Sequence, residues 1–162
     1  GDVVAIYAGN EIVGINVFRA SSHFALEGEG LIPLPSQALQ DSLNALLAEV
    51  SLPALNFPSS GYRVYEVKKV EEHPLDEKKS TLTLSDGNKE AVTSTRYPLA
   101  PGDCVVALQS GHARRNGTFF TSSVIRNIPQ DVEICSEADL GLGEESKAAY
   151  RSTKEIGSDF FA

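Results

Sequence analysis

The residues able to do chemistry in this 162-residue chain are few and scattered. Its three histidines, His23, His73 and His112, share no helical face and no metal-ligand spacing, so a metal centre is not expected. Ser110 stands two residues from His112, but no carboxylate is placed to orient the imidazole and no oxyanion hole is evident. Cys104 and Cys135 lie 31 positions apart beside apolar strand-type residues, which reads as two small core residues in a reducing, cytosolic setting. Phosphate-loop, GxGxxG, HExxH and GxSxG signatures are all missing. An enzyme, a cofactor and a small-molecule substrate are therefore not expected. What remains is a set of basic and aromatic side chains in the middle of the chain, suited to phosphates and exposed bases.

Charge is distributed in three blocks. Residues 1–60 hold one basic and six acidic residues, residues 61–126 ten basic and eight acidic, and residues 127–162 three basic and eight acidic. The net charge of −8 is thus the sum of two acidic flanks around a mildly basic middle. Taken whole, −8 argues against a nucleic-acid partner; taken by section, it does not. The longest apolar runs span a few residues, far short of the ~20 that cross a bilayer, and no signal-peptide pattern opens the chain, so no membrane partner is expected.

The elements that must position these side chains are mostly strands. Val3 to Tyr7 and Ile12 to Phe18 flank Gly9-Asn10, a hairpin signal because those two residues accept positive φ. Glu27-Gly28-Glu29-Gly30 reads as a loop, and Pro33 and Pro35 lead into a helix from about Ser36 to Val50. Its apolar stripe comprises Ala38, Leu39, Leu43, Leu46, Leu47 and Val50, with Ser36 as N-cap and Pro53 and Pro58 barring continuation. Further strands are expected at 62–67, 81–84, 91–93, 103–109 and 118–126, with an Asp86-Gly87-Asn88 turn and a polar loop from Ser110 to Gly117. Five short strands without a helix suggest a small closed barrel. The fold class is mostly β, a five-stranded OB-type barrel behind a hairpin-plus-helix α+β module. Expected boundaries are 1–58 for the module, 59–143 for the barrel and 144–162 for a loosely packed acidic extension, with Pro53 to Gly61 as linker.

Two motifs add a family resemblance. Val67 to Leu84 runs strand, His73-Pro74 turn, acidic-then-basic stretch, strand. Ile134-Cys135-Ser136-Glu137-Ala138-Asp139-Leu140-Gly141-Leu142 closely follows a closing Met-(Ile/Leu)-Cys-Ser-x-x-Glu-Leu-Gly-Leu signature. Together they resemble the tRNA-binding domain at the front of bacterial phenylalanyl-tRNA synthetase β chains, also found in stand-alone tRNA-binding proteins and EMAP-II-like cytokines. Gly1 to Tyr7, Val13 to Ser22 and the tail Gly157-Ser158-Asp159-Phe160-Phe161 are similar to the YtpR-type proteins, in which a small α+β module precedes that domain. The chain departs from the family at Thr93 to Pro98 and at Ile125 to Glu133, where the family's glycines are replaced. It opens on Gly1 and has no methionine, so an upstream segment is expected to be missing, or a residue between Glu133 and Ile134 where the family carries Met.

The resemblance implies a non-catalytic tRNA-binding protein of the cytoplasm, acting in translation. OB-type barrels bind through the loops joining strands 1–2 and 4–5 and the face of strands 2–3. The expected tRNA contacts are His73, Lys78 and Lys79 in the first loop and His112, Arg114 and Arg115 in the second, with Arg96 and Arg126 beside them. Tyr65, Tyr97 and one of Phe119 and Phe120 could stack on bases; adjacent strand residues point to opposite faces, so only one of the two phenylalanines can. Two alternatives stay open, a protein-interaction module that has lost tRNA and a synthetase-associated accessory domain. A homodimer and a protein partner remain open with them.

Overall fold

The computed structural model describes residues 1–26, 28–29, 32, 35–57 and 59–161. Glu27 and Gly30 of the expected loop, Pro33 before the helix and Pro58 after it lie outside the described residues. The chain separates into two compact units, Gly1–Pro58 and Ser59–Ala162.

In the first unit, strands β1 (Val3–Ala8) and β2 (Glu11–Val17) pair antiparallel about the Gly9-Asn10 turn. Their far ends are tied by Asp2, which accepts from both sides of the chain's return. Arg19 donates to its two carboxylate oxygens at 2.6 and 2.8 Å, and His23 Nε2 lies 3.0 Å from one of them. Helix α1 (Gln37–Glu49) begins where expected, because the Ser36 hydroxyl accepts the Leu39 N–H at 3.1 Å. It buries Leu46 and Leu47, and Asn44 clamps the following chain by bonding both the N–H and the carbonyl of Leu55.

The second unit is built on one five-stranded antiparallel sheet curled into a nearly closed barrel. Its strands are β3 (Tyr62–Glu72), β4 (Ser80–Ser85), β5 (Glu90–Thr95), β6 (Cys104–Gln109) and, after an insertion, β11 (Val132–Ile134). The spatial order is β11-β6-β3-β4-β5. β3 serves both halves, pairing with β6 over Tyr62 to Glu66 and with β4 over Glu66 to Glu72, and a bulge between Val67 and Lys69 turns it from one to the other. Between β5 and β11 the barrel is closed partly by side chains. Asp131 bonds the Val92 N–H through its carboxylate and the Val92 carbonyl through its own N–H, and the Thr93 hydroxyl donates to the Val132 carbonyl at 2.6 Å. Tyr65, Val67, Leu82, Leu84, Val105, Ala107 and Val132 fill the interior.

Two expectations fail here. The fifth barrel strand is Val132–Ile134 rather than 118–126. The intervening chain forms two small hairpins, β7 (His112–Ala113) with β8 (Phe119–Phe120) and β9 (Ser123–Ile125) with β10 (Ile128–Gln130). The reason is local turn chemistry, since Arg126 and Asn127 both adopt left-handed backbone (φ 51 and 65) and fold that stretch back on itself. Nor is the tail loose. Ala148 and Ala149 are buried, Arg151 N–H donates to Cys104, and Gly157 and Phe160 donate to the carbonyls of Val64 and Tyr62. A Cβ at Gly157 (φ 84) would meet the Asp86 carbonyl at 2.5 Å, so the strap requires glycine there. Among the described residues no helix is long and apolar enough to cross a membrane.

Candidate nucleic-acid interface

The loop between β3 and β4 holds His73, Lys78 and Lys79 together with the carboxylates of Asp76 and Glu77. The His73 N–H reaches the Lys79 carbonyl at 3.3 Å, and the His73 imidazole Nδ1 accepts the Leu75 N–H at 3.1 Å, which shapes the His-Pro turn. Asp76 accepts the Lys78 N–H at 2.9 Å, with Lys79 at 4.0 Å and Arg96, just past β5, at 3.8 Å. That backbone bond, helped by the Arg96 and Lys79 charges, holds the Asp76 carboxyl below its usual range. Arg96 and Lys79 are thus brought together on Asp76. The Lys78 ammonium makes no ion pair among the described residues.

The insertion between β6 and β11 holds the other predicted residues, and they divide. His112 has Nδ1 3.1 Å from the Ser110 carbonyl, and its ring lies where a Cβ on Gly61 would stand; Gly61 adopts φ 81. Arg114 makes a bidentate pair with Glu133 at 2.8 and 2.7 Å, bonds the Thr118 hydroxyl and the Phe119 carbonyl, and lies 5.9 Å from the Phe120 ring centroid. The Glu133 hydrogen bonds push its pKa up. With four of its five N–H donors so engaged, the guanidinium braces the hairpin, and its fork is taken by Glu133 rather than free for a phosphate. Arg115 packs against Gly141 and lines a cavity of about 200 Å³ with Tyr62, Cys135 and Asp139. Arg126 sits exposed at the tip of the β9–β10 hairpin with no side-chain partner among the described residues. No hydrogen bond or ion pair joins the two loops' predicted residues among those described.

The aromatic residues sort as sharply. Tyr65 is buried in the barrel with its hydroxyl accepting from Gln109, so it offers no ring face to a base, while Tyr97 is half-buried against the core and donates to the Glu145 carbonyl at 2.9 Å. Phe120 is 7% exposed and Phe119 67%, the inward–outward split their adjacency requires. Cys104 and Cys135 are buried, and burial pushes both thiols up, which disfavours the reactive thiolate. No group of three metal-ligating side chains occurs among the described residues.

No sequence motif marks a cleft of about 490 Å³ between β5, β11 and the insertion, lined by Thr95, Phe119, Thr121, Ser123, Ile125 and Gln130 among others. The signal that could have found it is Ile125-Arg126-Asn127-Ile128, two turn-compatible residues between β-branched ones.

Residues 1–54 match the domain of unknown function DUF4479. A protein of Bacillus subtilis (strain 168) named "Putative tRNA-binding protein YtpR" is 28% identical over 148 residues, covering 88% of this chain and 73% of that protein. A solved structure of a MetRS-related protein from Pyrococcus horikoshii is 16% identical with a TM-score of 0.40, covering 60% of this chain and 85% of that one. The chain is therefore similar to the YtpR-type proteins along most of its length, as its motifs imply.

Proposed function

We propose that this chain is a non-catalytic RNA-binding protein of the translation apparatus whose ligand is tRNA, held by loops at the barrel surface. The observation that carries this reading is the 28%-identical relative, named for tRNA binding, whose match spans 88% of the chain and so reaches across both units. The strand order, with the first strand between the second and fourth and closure through the third and fifth, is that of the OB-type barrel, a fold much used for oligonucleotides. Lys78 in the β3–β4 loop and Arg126 at the tip of the β9–β10 hairpin make no ion pair among the described residues. Arg96 is 70% exposed on its side chain despite Asp76 and can swing to a phosphate. Arg114 supports the site and does not touch ligand.

Filter binding of mixed tRNA at two salt concentrations tests the reading. Affinity that falls steeply with salt is the expected result, because phosphate contacts release counterions. Undetectable binding at low salt would overturn it. One observation favours a protein-interaction module instead, the neutralisation of Arg114, Lys79 and Arg96 by carboxylates within a chain of net charge −8. That alternative predicts a partner retained after nuclease treatment.

A further inference from the structure

Resting on the RNA-binding reading above, we infer that the cleft beside the β9–β10 hairpin is a seat for an unpaired nucleobase, stacked on Phe119 with Arg126 on the adjoining phosphate. Phe119 presents its ring to solvent, and Val124 and Ile125 stand exposed beside it in sequence order along the same insertion. An aromatic ring of this kind stacks on any base, because every base offers a π-face. The rest of the cleft is polar. The hydroxyls of Thr121 and Ser123 make no hydrogen bond among the described residues, and each can donate to or accept from a base edge. Gln130 is held rigid, its amide bonding the Ser94 N–H, the Ser94 hydroxyl and the Thr93 hydroxyl, so the wall it forms is pre-shaped.

Charge decides which partner this surface fits. Only Arg114 and Glu133 among the lining residues are charged, and they cancel in their bidentate pair. Arg126, which makes no ion pair among the described residues, follows the lining residue Ile125, whereas Arg96, which follows Thr95, is turned to Asp76. A chain of net charge −8 thus keeps this cleft free of uncompensated carboxylate, with the exposed Arg126 next in the chain after its lining residue Ile125. Arg126 is also held at its tip in a left-handed conformation that non-glycine residues adopt at a cost. Aromatic face, free hydroxyls and one unpaired arginine next in sequence to the lining together match a single-stranded nucleotide better than an apolar peptide.

The test exploits the absence of tryptophan from the chain. Phe119→Trp supplies a sole indole emitter at the cleft, and its fluorescence should be quenched on addition of tRNA but not of a fully paired RNA duplex with capped ends. In filter binding, Phe119→Leu keeps an apolar side chain and should weaken tRNA by roughly tenfold with little change in salt slope, whereas Phe119→Trp should bind as wild type. Arg126→Ala should weaken binding of all RNAs and lower the salt slope by about one. Unchanged thermal melts would show that the variants fold, as expected for side chains this exposed. If wild-type protein binds tRNA while Phe119→Leu and Arg126→Ala both bind within twofold of it, the seat is wrong and the RNA reading stands. If equal quenching by duplex and tRNA is seen, stacking on an unpaired base is ruled out. If wild type binds no tRNA, the broader reading fails, and this inference with it.

Discussion

β6 and β4 flank the same strand, β3, yet they are built differently. Along β4 the residues alternate, with Leu82 and Leu84 in the barrel and Thr81, Thr83 and Ser85 outward. Along β6 every residue from Cys104 to Leu108 is buried. The barrel covers one face of β6; on the other, Leu108 lines the small cavity shared with Tyr62, Arg115, Cys135 and Asp139, while Cys135 and the tail's Ala149 bond the Val106 backbone at the sheet edge. A sheet covered on both faces takes a continuous apolar run, and one open to water takes alternation. The barrel thus has one side packed on both faces, at β6, and another, at β4, whose outward residues stay half-exposed.

The strongest way to break this division is to truncate outward side chains on each strand. Leu108→Ala, beneath the covered face, should cost about 2–5 kcal/mol, while Thr83→Ala on β4 should fall within about 0.5 kcal/mol, both read from urea denaturation. Equal costs would remove the distinction. Next in size is the strap's anchor. Asp159 accepts the Ser60 N–H and hydroxyl at 2.9 and 2.6 Å, so Asp159→Ala should cost roughly 1–3 kcal/mol and increase proteolysis after Leu140. A variant as protease-resistant as wild type would show that the tail holds without it.

Acid provides a smaller probe. Asp86 sits at the β4–β5 turn, where the Lys89 N–H at 2.7 Å, the Asn88 N–H and the Arg63 guanidinium hold its carboxyl below the ordinary 3.8. A carboxyl depressed on folding stabilises the protein above its unfolded pKa, and that contribution is lost as pH falls from about 4 through the folded value. Stability measured between pH 5 and pH 2, a window set by roughly these pKa values, should therefore drop less steeply in Asp86→Asn than in wild type. Smallest is Lys78→Ala, which should leave stability within about 0.5 kcal/mol and lower the tRNA salt slope by about one. An unchanged slope would confine RNA contacts to the other loop.

The candidate site was less legible than the frame around it. Lys79, Arg96 and Arg114 have the right residue type, but residue type does not reveal a carboxylate partner. Glu133 reaches Arg114 across 19 positions, and Asp76 reaches Arg96 across 20. Tyr65 likewise reads as a strand aromatic able to stack, until the barrel closes over it.

Local order was written in the chain. The Gly9-Asn10 hairpin, the helix capped by Ser36, the Asp86-Gly87 turn and the alternation of β4 each rest on interactions within a few residues, which sequence spacing expresses directly. Only the tertiary structure decided that Val132–Ile134 and not 118–126 completes the barrel, that the tail straps β3 and β6, and which arginines are paired with carboxylates. Those outcomes depend on pairings between distant segments, where hydrogen bonds and ion pairs form by proximity that no local pattern records.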